Sequence, residues 1–533
     1  MTVTDPAPSS RPPAGAVRLE VDGRPVEVDD DGITLLDALR DHLGVRSAKD
    51  GCSPQGQCGC CTVLVDGAPR VACVTPLRRV AGRRITTVDG LDPAVAAAWA
   101  EAFAATGASQ CGFCTPGIIC RLEGARAKGV AADDEAGVDR ALAAHLCRCT
   151  GWRPIHDAYA LVAAPTTTPS SARPPSAERD LDAAAQRAGV EGHAPQTVGP
   201  DVALGRGGFA DDSAPADALV AVPDGRGDWI VAETLADARR QAGKVQGRRT
   251  TVDPVPPLAL PAGEWAAALR TCWVEPAYLE PDAAWSAPGA DPVGPLVNGG
   301  AFGGKRSSPV AAAARRLADR HGRPVRVLLA REDVVRLGPK RPPVAGGVDA
   351  TGRGILRMVA TTGVAAAVAR VAPDLVVEEV DVLGPPTDPG LRAAGWAEAE
   401  MLLAAVRGRR PVVGPDGGEA EAAIDPDGTV RIRVAAGDPL DEVVLRSYCV
   451  GAAHQALSWV RREGLAVTAE GVVEDLTIRS FGILRASEMP PVVVEVDPGA
   501  GPPVNGTDAV FVAVAAAAWL AAGTPTDLPV GLP

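Results

Sequence analysis

Residues 51–73 read GCSPQGQCGCCTVLVDGAPRVAC, which places five of the chain's twelve cysteines in one glycine-rich stretch. Taking Cys52, Cys58, Cys61 and Cys73 gives C-x5-C-x2-C-x11-C, with three thiols from one loop and a fourth from further along. Four thiolates converging on two irons is what a plant-type 2Fe–2S cluster requires. Gly51, Gly56 and Gly59 let the backbone wrap closely and turn its N–H groups toward the sulfurs. Cys60 stands inside the motif as a spare thiol, and an exchange of roles between Cys60 and Cys61 stays open.

Working outward, AVRLEVDGRPVEVDD (16–30) alternates apolar and polar residues around Asp22-Gly23, which predicts a tight hairpin. In GITLLDALRDHLG (32–44), Thr34 is placed to cap a short helix carrying Leu35, Leu36 and Leu39. Hairpin, helix and cysteine-rich loop is a β-grasp order. From about 91 to 163 the pattern turns helical, and there CGFC (111–114) and CRC (147–149) supply Cys111, Cys114, Cys147 and Cys149. Both pairs fall in predicted helical territory, so two helix ends are expected to face each other across one metal site. Zinc or a structural staple is the alternative for these four alone. Beside a ferredoxin-like loop the balance moves to iron–sulfur. Cys120, Cys272 and Cys449 have no partner spacing and read as small core residues.

The 533 residues allow several domains, and a hydrophobic share of 46% with 22% charged residues is ordinary for a globular protein. A net charge of −13 argues against nucleic acid or an anionic membrane as the main partner. The longest apolar run, AVFVAVAAAAWLAAG (509–523), is too short to span a bilayer and reads as a buried helix. The N-terminus lacks the apolar core of a secretory signal, so a cytoplasmic, reducing location is expected, where clustered cysteines bind metal more often than they pair. The organisation read from the chain is a disordered tail (1–16), a β-grasp 2Fe–2S domain (17–90), a helical 2Fe–2S domain (91–163) and a Pro/Ser/Thr-rich linker (164–195). Residues 196–533 read as mixed α and β, which makes an α+β multidomain chain.

GCSPQGQCGCCTVLVDGAPRVAC, followed by SQCGFCTPGIIC (109–120) and HLCRCTGWRPI (145–155), resembles the iron–sulfur part of the molybdenum hydroxylases, the xanthine dehydrogenase, aldehyde oxidase and carbon monoxide dehydrogenase family. The resemblance covers residues 17 to about 163 and implies one 2Fe–2S cluster in each of two domains. It also implies that Gln110 touches the pterin of a molybdenum cofactor. Further on, TVGPDVALGRGGFADD (197–212), EPAYLEPDAAW (275–285) and the glycine loop NGGAFGGK (298–305) resemble the molybdenum-binding half more weakly, which implies an α/β hammerhead-like domain (196–275) and a shortened molybdopterin-binding-like α+β region (276–533). By that likeness Phe302 and Gly303 lie by the metal, and Arg392 in DPGLRAAGWAEAEMLL (388–403) contacts the cofactor. Read from the residues alone, Gly299, Gly300, Gly303 and Gly304, with Lys305 nearby, can let backbone approach an anionic ligand.

The family's reaction needs a general base, normally a glutamate in a C-terminal Gly-Val-Gly-Glu stretch. Here GPPVNGTDAVFVAV (501–514) puts Asn505 in its place, and an amide cannot take that proton. Asp508 could substitute only in a rebuilt loop. The segment supplying a glutamine beside the metal and the Gly/Gln-rich section that wraps the pterin are both missing. Two functions follow. One is a molybdenum-hydroxylase-type oxidoreductase that passes electrons from a small-molecule substrate at molybdopterin through two clusters to an FAD-binding subunit. The other is a non-catalytic electron-transfer or scaffold subunit with a degenerate molybdenum half, which a further molybdenum subunit could complement.

Overall fold

The computed structural model describes residues 15–164, 179–243 and 250–531. Residues 1–14 of the expected tail and 165–178 of the expected linker lie outside them.

Strands β1 (Ala16–Val21) and β2 (Arg24–Asp29) pair antiparallel, with Val21 opposite Arg24. Asp22 and Gly23 sit at φ 50° and 77°, the positive pair that a tight hairpin turn demands. Strands β3 (Thr62–Val65), β4 (Ala68–Val71) and β5 (Arg84–Thr86) complete a five-stranded sheet in the order β2-β1-β5-β3-β4, with β5 parallel to β1. Thr34 caps the helix that packs beneath: its Oγ1 accepts from Asp37 N at 3.2 Å, and its own N–H donates to Asp37 Oδ2 at 2.9 Å. Hairpin, capped helix and loop therefore stand where the sequence put them.

Four helices follow, Pro93–Thr106, Thr115–Arg126, Glu135–Leu142 and Arg153–Ala163. The cysteine pairs are not within them. Cys111 and Cys114 precede the Thr115–Arg126 helix, and Cys147 and Cys149 occupy a loop before Arg153. Of the two helix ends expected, the one at CGFC is found, and the other becomes a loop entering a helix, because Arg153-Pro154 starts a helix rather than continuing one.

Two boundaries read from sequence are corrected. Residues 181–192, placed in the linker, form the helix Leu181–Gly192, capped by Asp180 and buried through Ala184, Arg187, Ala188 and Glu191. The division at 275/276 is not a boundary. One four-stranded sheet joins Trp229–Ala232 and Leu219–Pro223 to Val325–Leu328 and Ala283–Ser286, while Ala267–Thr271 pairs with Val344–Val348 in another sheet. A last four-stranded sheet, from Val412 to Val496, supports two buried helices, Glu442–Arg461 and Thr507–Ala521. Trp459 and Phe511 stack between them with centroids 5.5 Å apart. Among the described residues no helix is long and apolar enough to cross a membrane.

Candidate metal centres

The first loop turns its sulfurs inward. Cys52, Cys58, Cys61 and Cys73 are all buried, and their thiols meet one another, Cys58 and Cys73 donating to Cys52 and Cys73 also facing Cys61. The Cys58 and Cys73 thiols donating to it pull the Cys52 thiol far below its ordinary value, and both donors are pushed up in turn. Backbone adds donors: Gln55 N and Gln57 N point at Cys52 Sγ from 3.2 and 3.5 Å, and Cys73 N points at Cys61 Sγ from 3.4 Å. Anionic sulfur held by N–H groups in a dry setting is the chemistry that ligates iron.

The second set interleaves. Cys149 Sγ lies 3.6 Å from Cys111 Sγ, and Cys114 bonds Cys147, so each loop gives one sulfur to each pair. Cys114's S–H and the Thr150 hydroxyl, 3.1 Å away, lower the Cys147 thiol to about 6. All twelve cysteines are free. Among the described residues no three His, Cys, Asp or Glu side chains surround the position of a single ion. A two-iron cluster spreads its four thiolates over two irons instead, and both donor sets suit that arrangement.

The two sets touch. Leu146 N donates to Cys58 O at 2.9 Å, so the residue beside Cys147 is bonded to a cysteine of the first set. Gly117 makes room for this contact, since a Cβ there would strike Gly59 O and Cys60 O. His145 fills the space between, with Nε2 3.1 Å from Thr62 Oγ1, and burial lowers it to about 3, so it stays neutral. The sequence reading missed His145, since a histidine two residues before a cysteine has no ligand spacing of its own.

The residues assigned to a molybdenum cofactor do gather beside the second set. Gln110, Gly300 and Phe302 line a cavity of about 50 Å³ with Cys111 and Cys149, and Phe302 and Arg392 line a neighbouring one of about 40 Å³. Their polar groups, however, are turned to this chain. Gln110 Nε2 donates to Cys149 O and to Ser447 Oγ, both at 3.0 Å. Arg392 holds Asp508, Gln455 and Thr507, with its guanidinium 5.3 Å above the Phe302 ring. Gly300 abuts Gly192 O, and Gly303, at φ 93°, abuts Gly390 O. A pterin cofactor is drug-sized and takes a pocket of about 300 Å³ or more. Molybdopterin does not fit these residues as they stand.

Neither Asn505 nor Asp508 is set up to take a proton. Asn505 donates to Val190 O and Glu191 O at 3.1 Å. Burial works to raise Asp508, but the His193 hydrogen bond and the Arg392 charge outweigh it and hold the carboxyl below its usual range. A carboxylate so stabilised is a poor proton acceptor. Sequence reasoning also passed over Gln196, whose Oε1 accepts from the Tyr448 hydroxyl at 2.5 Å, and Asn298, whose Nδ2 donates to Cys111 O at 2.7 Å. Single amides in loops carry no pattern.

Comparison with known proteins agrees with the two cysteine sets. A 2Fe-2S iron-sulfur cluster binding domain matches residues 19–78 and a [2Fe-2S] binding domain matches residues 87–160. The nicotinate dehydrogenase small FeS subunit of Eubacterium barkeri is 38% identical over 125 residues, which are 23% of this chain and 78% of that one. A nicotinate dehydrogenase subunit of Pseudomonas putida is 40% identical over 135 residues, 25% of this chain and 85% of that one. Xanthine dehydrogenase 1 of Arabidopsis thaliana is 38% identical over 143 residues, 25% of this chain, but the match spans only 10% of that protein's length. In fold, the aldehyde oxidoreductase of Desulfovibrio desulfuricans superposes with a TM-score of 0.66 at 14% identity, covering 94% of this chain and 97% of that one. The chain, through its 2Fe–2S region, belongs to the molybdenum hydroxylase family.

Proposed function

We propose that this chain is a one-electron carrier of a molybdenum-hydroxylase-type redox system, holding two 2Fe–2S clusters in series and no pterin of its own. Cys52, Cys58, Cys61 and Cys73 hold the first cluster, and Cys111, Cys114, Cys147 and Cys149 the second. The Leu146–Cys58 hydrogen bond carries the reading, because it makes a short bonded route from one donor set to the other. The clusters supply one-electron redox steps; the chain's residues keep them dry, with N–H donors on the sulfurs, and fix their separation. A partner subunit with the substrate pocket and another with flavin would stand at the two ends, in a reducing cytoplasm.

A second reading, in which the chain itself is the oxidising enzyme, draws on one observation: Gln110, Gly300, Phe302, Gly303 and Arg392 converge beside the second cysteine set. Metal analysis of purified protein separates the two. Four irons per chain without molybdenum support the carrier; four irons with one molybdenum support the enzyme.

A further inference from the structure

Cys60 is the thiol that eight ligands leave over. It is fully buried, in the loop that holds three of the first set. A Cβ on Gly51 would lie 3.0 Å from Cys60 Sγ and 3.1 Å from Cys58 Sγ, so the two sulfurs stand side by side above one glycine. Gly59, at φ 77°, folds the chain between them, and the two thiols share a hydrogen bond. The other unassigned cysteines differ. Cys272 donates to Leu528 O at 3.3 Å, and burial raises Cys120, Cys272 and Cys449 with no other cysteine acting on them.

Resting on the two-cluster reading above, we propose that Cys60 is a reserve ligand of the first cluster that takes over the coordination position of Cys58. The exchange is a ligand substitution without redox change. The Cys60 S–H and Cys58 S–Fe bonds break and Cys60 S–Fe and Cys58 S–H bonds form, the proton passing from the incoming sulfur to the outgoing one. Where residue 58 carries no sulfur, the proton leaves to solvent as the cluster is assembled. Because the incoming sulfur already lies beside the outgoing one, the backbone around Gly59 can stay in place.

Iron content and the electron paramagnetic resonance of dithionite-reduced protein test this in the full chain. Cys58→Ala is expected to keep four irons, with the first cluster's signal shifted, whereas Cys58→Ala/Cys60→Ala keeps two. Those two belong to the second cluster and report that the double variant has folded. Cys58→Ser is expected to give the same spectrum as Cys58→Ala, since sulfur from Cys60 ligates in both. Fewer than four irons in Cys58→Ala, or a distinct oxygen-ligated spectrum in Cys58→Ser, overturns the proposal. Wild-type protein without four irons overturns the cluster reading, and this inference with it.

Discussion

Glu191 shows how much a single side chain holds here. It is wholly buried, and its carboxylate accepts from Gly506 N, Thr507 N and Thr507 Oγ1 at 3.3, 3.0 and 2.8 Å while pairing with Arg187 at 2.8 Å. A carboxylate at the start of the Thr507–Ala521 helix answers its unpaired N–H groups and its dipole. Glu191→Ala would leave Arg187 buried and unpaired, at a cost of about 3–5 kcal/mol; the urea midpoint should fall accordingly, and an unchanged midpoint would refute the role. At the same scale, Cys147→Ala should leave two irons, those of the first cluster, and abolish one of the two paramagnetic signals. What the sequence made legible at this scale was the thiols, because cysteine spacing is itself the chemistry. Glu191 was not legible, since its partners at the helix start lie more than 300 positions away.

Elements carry the next predictions. The Thr115–Arg126 helix meets the first loop through Gly117, and Gly117→Ala would press a methyl into Gly59 O and Cys60 O. Overpacking of that kind costs about 1–3 kcal/mol, and hydrogen exchange at Leu146 N should quicken as its bond to Cys58 O weakens. The Glu442–Arg461 helix buries His454, whose Nε2 meets Leu484 O at 2.9 Å and whose burial lowers it to about 3. A depressed histidine favours folding fully above its unfolded value of about 6.5, and the advantage is lost as pH falls toward 3. Stability should therefore drop by about 1.4 kcal/mol per unit of pH below 6.5 on this account, and His454→Gln should flatten that slope in denaturation series from pH 7 to 5. Hairpins and capped helices were legible because their turn and cap residues act locally. The expectation of helix ends holds for CGFC, where Cys114 is the N-cap residue of the Thr115–Arg126 helix. Cys147 and Cys149 stand instead in the loop before Arg153, where the helix start at Arg153-Pro154 has no cap side chain to announce it.

At the scale of the molecule, the chain beyond residue 179 closes over both cysteine sets. Lys49 pairs with Asp212, Arg239 with Asp50 at 3.2 Å, and Arg331 Nη2 donates to Gly51 O at 3.0 Å, so the first loop is clamped from outside its own domain. Ser447 and Gln455, on the Glu442–Arg461 helix, clamp the second by bonding Gln110 and Arg148 O. Clamps of this kind were not legible in the sequence, because contacts between residues far apart in the chain leave no local pattern. The division at 275/276 failed for the same reason, its strands pairing across it. The account as a whole rests on eight sulfurs holding paired irons in two places, and the most direct measurement is electron paramagnetic resonance of the anaerobically purified, dithionite-reduced chain. Two distinct spin-half signals of equal intensity are predicted; a colourless protein with no signal, or with one alone, would contradict it.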